Sequence, residues 1–221
     1  MGKSIAIDGP AGAGKSTIAK MVAKELGFIY VDTGAMYRAM ALYLIRKGID
    51  RNDTAALEKA CEDADISIEY ENGQQVVLLM GENVNAYLRT EEVGNMASVS
   101  STNPKVRTKL VALQQKLAAE KDVVMDGRDI GTVVLPDSKC KIYLTASSAV
   151  RAKRRYDELE AKGITSDIKK IEADIIERDE RDMTREHSPL KQAEDAILID
   201  SSDMSIEEVR SAIIAKAKER L

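Results

Sequence analysis

Residues 4–16 read Ser4-Ile-Ala-Ile-Asp-Gly-Pro-Ala-Gly-Ala-Gly-Lys-Ser16. The first five residues are a short apolar run that Gly9-Pro10 closes, which predicts a buried strand and then a turn. From Lys15 the spacing becomes helical. Ile18, Val22 and Leu26 fall on one side, and Gly27 ends the helix. Gly-x-x-x-x-Gly-Lys-Ser between a strand and a helix specifies a phosphate-binding loop, or P-loop. Glycines let backbone N–H groups curl around an anion without Cβ clashes. The helix that opens near Lys15 turns its positive dipole end toward the anion. The loop candidates are Gly9, Pro10, Ala11, Gly12, Ala13 and Gly14. Lys15 has the reach for β- and γ-phosphates, and Ser16 offers a hydroxyl to Mg²⁺ held with those phosphates.

Working outward, residues 28–31 form a second strand, and Asp32-Thr33 caps a helix that runs to about Lys47 and closes at Gly48. Strand, helix, strand, helix at this spacing predicts a parallel sheet. The pattern changes over 53–102. A helix (53–64) precedes two strand-like runs, Ile66–Tyr70 and Gln75–Met80, joined by Glu71-Asn72-Gly73. Asn-Gly between such runs predicts a hairpin, because both turn positions need φ > 0. Thr90 is placed to cap a short helix. Asn103-Pro104 then opens a helix to about Glu120, followed by strands at 123–125 and 142–144. Ser147 or Ser148 caps a charged helix ending at Gly163, and a second charged helix spans 167–182. A strand at 197–199 and the capping box Ser205-Ile-Glu-Glu208 complete the chain.

Composition narrows the functional classes. No apolar run approaches the ~18 residues of a spanning helix, and Asp8 interrupts the N-terminal apolar stretch too early for a signal peptide. A cytosolic location is therefore expected. Cys61 and Cys140 follow no metal-ligand spacing and are expected to be buried free thiols. A net charge of −4 argues against a nucleic-acid surface, and without Trp and with one Phe no base-stacking platform is built. The single histidine, His187, excludes a multi-histidine metal centre. No Asn-Lys-x-Asp is present for guanine recognition, and no strand carries a long apolar run with an acidic pair. Those absences favour a small-molecule kinase among P-loop proteins.

The arginines supply the rest. Arg38 lies one turn beyond Asp32-Thr33-Gly34, and Arg128-Asp129 follows the strand at 123–125. Ligands bind at strand C-terminal ends in open parallel sheets. Arg178, Arg181 and Arg185, at i, i+3 and i+7, share a helix face if the helix persists to 185, with Asp182 among them as an ion-pair partner or a sugar-hydroxyl acceptor. Phosphoryl transfer needs such positioned positive charge. Segment 151–185 also holds ten basic and ten acidic residues, so solvated helices laced with i,i+4 pairs compete with that reading, above all at Lys153, Arg154 and Arg155. Asp126, at a strand end before Gly127, is read equally as an organiser of Mg²⁺ waters and as a turn residue.

Four stretches carry a family resemblance: Ile7–Thr17, Asp32-Thr-Gly-Ala-Met-Tyr-Arg38, Asp126-Gly-Arg-Asp-Ile-Gly-Thr-Val-Val134 and Glu177-Arg-Asp-Glu-Arg-Asp182. The sequence resembles the bacterial cytidylate kinases, of the nucleoside monophosphate kinase family, over essentially its whole length. The resemblance implies an α/β P-loop fold in three layers with a five-stranded parallel sheet. The core would be 1–33, 102–149 and 188–221. A monophosphate-binding insertion with an antiparallel hairpin would span 34–101, and a helical lid 150–187. It implies ATP- and Mg²⁺-dependent phosphorylation of CMP and dCMP. Arg38, Arg128 and Arg185 would hold the acceptor phosphate, with Lys15, Arg128 and Arg185 as the catalytic group. Ser98, Arg107 and Asp129 would read cytosine, Arg178 and Asp182 would hold the sugar, and Thr33 stands at a Ser/Thr position of the acceptor site. Thr17, Arg151 and Arg154 join the ATP side. A monomer without nucleic-acid or membrane partners is expected.

Overall fold

The computed structural model describes residues 2–221. Its centre is a five-stranded, all-parallel sheet in the order β2-β6-β1-β7-β8. These strands are β1 (Ser4–Asp8), β2 (Ile29–Asp32), β6 (Val123–Gly127), β7 (Cys140–Thr145) and β8 (Ile197–Asp200). Ile5, Ala6 and Ile7 of β1 are wholly buried, as a middle strand covered on both faces requires. Helices α1 (Lys15–Leu26) and α8 (Ile206–Arg220) cover one face through Ile18, Val22, Val209 and Ile213. Helices α2 (Thr33–Arg46) and α5 (Pro104–Glu120) cover the other through Met36, Met40, Val106 and Leu110. The expected three-layer α/β architecture is therefore present. The capping residues act as their types dictate: Asp32, Thr90, Asn103, Ser147 and Ser205 each accept a backbone N–H of the turn that follows. Both cysteines are free and buried.

Between α2 and α5 lie α3 (Thr54–Asp63), α4 (Glu91–Ser100) and a separate antiparallel sheet, β3-β4-β5. The hairpin joins β3 (Ile66–Glu71) to β4 (Gln74–Leu79), with Asn72 at φ 51° and Gly73 at φ 75°. Positive φ at both positions is what Asn-Gly accommodates. A third strand, β5 (Glu82–Asn83), is an addition to the sequence reading. Its turn, Met80-Gly81, also has positive φ at both residues, but Met carries no turn signal. The two charged helices are α6 (Ser148–Glu160) and α7 (Ile168–Thr184).

A second addition is a π-helical turn at Ile130–Val134, straight after β6. It is anchored by Asp8, whose two carboxylate oxygens accept from Ile130 N (2.8 Å) and Gly131 N (2.7 Å). Burial pushes the Asp8 carboxyl up to about 6 even though these amides favour its charge.

The loop after β1 passes close under β7. A Cβ on Gly9 (φ 149°) would sit 1.9 Å from the Leu144 carbonyl oxygen, whereas one on Gly14 (φ 85°) meets open space. Gly9→Ala is therefore expected to cost about 3 kcal/mol or more, and Gly14→Ala about 1–2 kcal/mol from backbone strain alone. Urea unfolding of the two variants checks this; equal losses would mean that the loop moves aside at Gly9.

Candidate active site

Because β1 lies between β6 and β7, the phosphate loop and the end of β6 become neighbours. Gly14 (φ 85°) turns the chain into α1 with no side-chain cap, so the first amides of the helix stay free for an anion. Lys15 is buried and its Nζ donates to Pro10 O at 2.6 Å. Burial, then the nearby Arg128, pushes the Lys15 ammonium down to about 7. Ser16 Oγ donates to Asp126 Oδ2 at 2.8 Å, and Tyr30 OH donates to Asp126 Oδ1 at 2.8 Å. Burial, then the Asp32 charge, raises the Asp126 carboxyl.

A hydroxyl and a buried carboxylate side by side are hard oxygen donors that suit Mg²⁺. Among the described residues no cluster of three or more metal-binding side chains exists. Asp126 is the residue that sequence reading left undecided. Its signal was a strand of apolar residues, Val123-Val124-Met125, ending in a carboxylate. The pairing of that strand with β1 was not legible, because the two are far apart in the chain.

The loop opens into a cavity of about 250 Å³. Ala11, Gly12, Lys15, Ser16 and Asp126 line one end, and Ser98, Arg107, Asp129 and Arg185 the other. Thr33, Arg38, Arg128, Arg178 and Asp182 line it as well, with Asp182 paired to Arg128 and 3.9 Å from Arg185. Of the residues singled out in the sequence, Gly9, Pro10, Ala13, Gly14 and Thr17 complete the loop and the first helical turn without lining the cavity. Arg151 and Arg154 face elsewhere: Arg151 lies under the loop, its Nη1 donating to Ala11 O (2.9 Å), and Arg154 bonds Ser201 O (2.7 Å). Thr33 Oγ1 donates to Asp126 O (2.6 Å), tying the start of α2 to β6.

The far end is built around a buried ion pair. Arg107, on α5, bonds Asp129 and donates to Ser101 O at 3.1 Å, with its guanidinium over the Tyr37 ring. Arg185 Nη2 lies 3.8 Å from Asp129 Oδ1, and its Nε donates to Ser188 O. Arg107 Nε and Arg185 Nη2 are buried donors without a hydrogen-bond partner. Such donors are costly unless a ligand accepts from them. Ser98 Oγ accepts from Arg181 of α7 at 3.1 Å.

Between the ends, Arg128 Nε donates to Asp182 Oδ2 at 2.7 Å. Arg38 and Arg178 make no hydrogen bond or ion pair among the described residues, and burial followed by neighbouring arginines lowers both guanidinium pKa values. Arg89 lines the cavity as well and pairs with Asp32 at 2.6 Å. It was missed in the sequence because it stands alone before Thr90 in no motif. Arg38 is half-buried and Arg178 exposed, and both line the cleft without a carboxylate partner, an arrangement that attracts an anion.

The cytidylate kinase family model matches residues 5–219. The chain belongs to the cytidylate kinase family. A cytidylate kinase of Caldicellulosiruptor saccharolyticus is 51% identical over 211 residues, covering 96% of this chain and 93% of that protein. One of Shouchella clausii is 47% identical over 218 residues, covering 99% and 97%. Among solved structures, an uncharacterized protein from Eubacterium ventriosum aligns over 100% of both chains with a TM-score of 0.53 at 14% identity, a likeness of fold alone. Membership in the cytidylate kinase family makes the chain a phosphotransferase of the nucleoside monophosphate kinase class. Among the described residues no helix is long and apolar enough to cross a membrane.

The cation surplus is directly testable. Millimolar sulfate should raise the melting temperature by about 2–4 °C for each kcal/mol of anion binding. The double variant Arg38→Met/Arg178→Met should lose most of that rise. If the variant responds as the parent does, the stabilisation is general salt exclusion and the two arginines are not the anion site.

Proposed function

We propose that this chain transfers the γ-phosphoryl group of ATP to CMP and dCMP, giving CDP or dCDP and ADP. One observation carries the reading. A single cavity joins a phosphate loop to a buried Arg107–Asp129 pair, with Arg38 and Arg178 unpaired between them. One cleft thus offers groups suited to donor phosphates, an acceptor phosphate and a base.

In this reading Gly9 to Thr17 hold the ATP phosphates, with Lys15 supplying charge at the donor end. Ser16 and Asp126 would hold Mg²⁺, which when bound neutralises charge on the phosphate oxygens. Arg38, Arg128 and Arg185 hold the acceptor phosphate. Arg178 and Asp182 take the sugar hydroxyls. Asp129 accepts from the cytosine amino group, Arg107 donates to its acceptors, Ser98 adds a hydroxyl on that side, and Thr33 stands at a Ser/Thr position of the acceptor site. An acceptor phosphate oxygen attacks the γ-phosphorus as the bond to the β–γ bridging oxygen breaks. The arginines spread the negative charge that the three transferring oxygens carry. No general base is needed, since the attacking phosphate is already ionised at neutral pH.

Segments 34–101 and 150–187 are the parts that close over the reactants and exclude water, a competing acceptor. Arg151 and Arg154 reach ATP only if closure redirects them from Ala11 and Ser201. Action as a monomer in the cytosol belongs to the same proposal.

ADP release from ATP and Mg²⁺, with CMP, dCMP, UMP, AMP and GMP offered singly, tests the reaction. Fast release is expected with CMP and dCMP alone; equal rates with several acceptors would remove the base-reading assignment. Asp129→Ala should erode the CMP/UMP preference by at least about tenfold, because a site left with unpaired polar groups no longer discriminates. An unchanged ratio in a folded variant assigns base reading elsewhere.

Lys15 adds a pH signature. A lysine held down near 7 is largely neutral at pH 8 in the free protein. Phosphates beside it favour the charged form, so nucleotide binding should take up a proton there. Affinity for ADP should accordingly fall as pH rises above 7. Calorimetry in two buffers of different ionisation heat reads the uptake, and Lys15→Met should abolish it. Uptake that persists in the variant belongs to another group.

A further inference from the structure

Helix α7 has 17 residues and one buried side chain, and that side chain is a carboxylate, Asp179. Amphipathic helices normally bury apolar residues against the body of the protein. Here Ile168, Ile176 and Met183 are exposed instead. A buried charge persists only when it is paired and hydrogen-bonded. Asp179 is both: Oδ2 lies 2.5 Å from Arg151 Nη1, and Oδ1 accepts from Ala11 N at 3.3 Å.

The partner is equally committed. Arg151 is 6% exposed. Its Nη1 also donates to Ala11 O at 2.9 Å, and its Nε donates to Ala146 O at 2.8 Å. A Cβ built on Gly12 (φ 75°) would lie 3.3 Å from Arg151 Cβ, so the stem of the arginine packs against the loop. The ion pair thus takes both the N–H and the C=O of Ala11, at the tip of the phosphate loop. One half of the clamp comes from α6 and the other from α7.

The neighbours of Asp179 give the clamp a direction. Arg178 precedes it and Asp182 follows one turn on; both line the cleft, and Asp182 bonds Arg128. The helix that carries the sugar- and phosphate-facing groups is therefore pinned to the donor loop at one point. The clamp accounts for why the one buried side chain of α7 is a carboxylate.

We propose that Asp179 is a positioning residue, which through Arg151 and Ala11 sets the register between the acceptor-side helix and the phosphate loop. This rests on the assignment of donor and acceptor ends made above. Asp179 touches neither substrate. Its contribution is to the distance across which the phosphoryl group travels, and misplacement of reacting groups by ~1 Å can lower turnover about a hundredfold.

Asp179→Asn and the double variant Arg151→Met/Asp179→Leu separate positioning from simple stability. The double variant removes both charges, and apolar replacement of a buried pair is often neutral for folding. Both variants are expected to lose at least about tenfold in kcat, while the CMP dissociation constant measured without ATP stays within about threefold of the parent's. Adding Asp179→Asn to Arg151→Met should lower kcat no further than Arg151→Met alone, since the two act as one unit. Amide exchange at Ala11 to Gly14 should quicken in the double variant. Parental kcat in the folded double variant, or losses that multiply, would overturn the proposal. Should Asp179→Asn fail to fold, the double variant and its amide exchange still decide; unchanged exchange counts against the clamp. The parent's own rate with CMP in the same assay tests the reaction separately, so failure of that reading leaves the exchange result standing.

Discussion

The position of β1 between β6 and β7 is the constraint from which the site follows. Parallel pairing in this order brings Asp8-Gly9, Asp126-Gly127 and Thr145 to one edge of the sheet. The next strand out adds Asp32 beside Asp126. Four strand ends thus deliver the segments that follow them to one place, with Asp8, Asp32 and Asp126 at the ends of three of the strands. Asp8 reaches sideways to hold the π-helical turn that follows Asp129. The backbone closing one loop is in this way fixed by the side chain that opens another.

Charge in the resulting cleft is unevenly balanced. Arg107–Asp129, Arg128–Asp182 and Arg151–Asp179 are buried or half-buried pairs, while Arg38 and Arg178 have no partner among the described residues. Buried pairs contribute little net stability once desolvation is counted, but removing one member is expensive. Their value here is geometric: each pair holds a side chain that faces the cavity, or a loop that borders it. The two cations without partners leave net positive charge along the cleft, and an anion that binds there would stabilise the fold by mass action.

Much of this was legible in the sequence, for definable reasons. The loop Gly9–Ser16 could be recognised because its backbone geometry demands glycine and its chemistry demands Lys-Ser. The hairpin was visible in Asn72-Gly73, whereas the turn at Met80-Gly81 was hidden by a residue with no turn preference. Helical spacing placed Arg178 and Arg185 together. It could not separate them from Asp179, since a carboxylate among arginines in a charge-rich segment looks like a surface partner. Nor did spacing show that Arg151 would lie beneath the loop. Those facts depend on how α6 and α7 dock, and nothing periodic encodes docking. Sheet order was likewise out of reach, as β1 pairs with strands more than a hundred residues away.

Strand β2 stands at one edge of the main sheet, with the Tyr30 carbonyl and the Asp32 N–H and C=O on its outer side. Gln75 of the insertion meets that edge with its side-chain amide. Its Oε1 accepts from Asp32 N at 2.8 Å, and its Nε2 donates to Asp32 O at 3.2 Å. Tyr70 OH donates to Tyr30 O at 3.2 Å. Two side chains thereby occupy the bonds that another strand would make. Open edges invite pairing with a second chain and lead to aggregation. The inserted sheet therefore serves solubility as well as the site: it seals an edge of the core without extending it, leaving no template there for a neighbouring molecule.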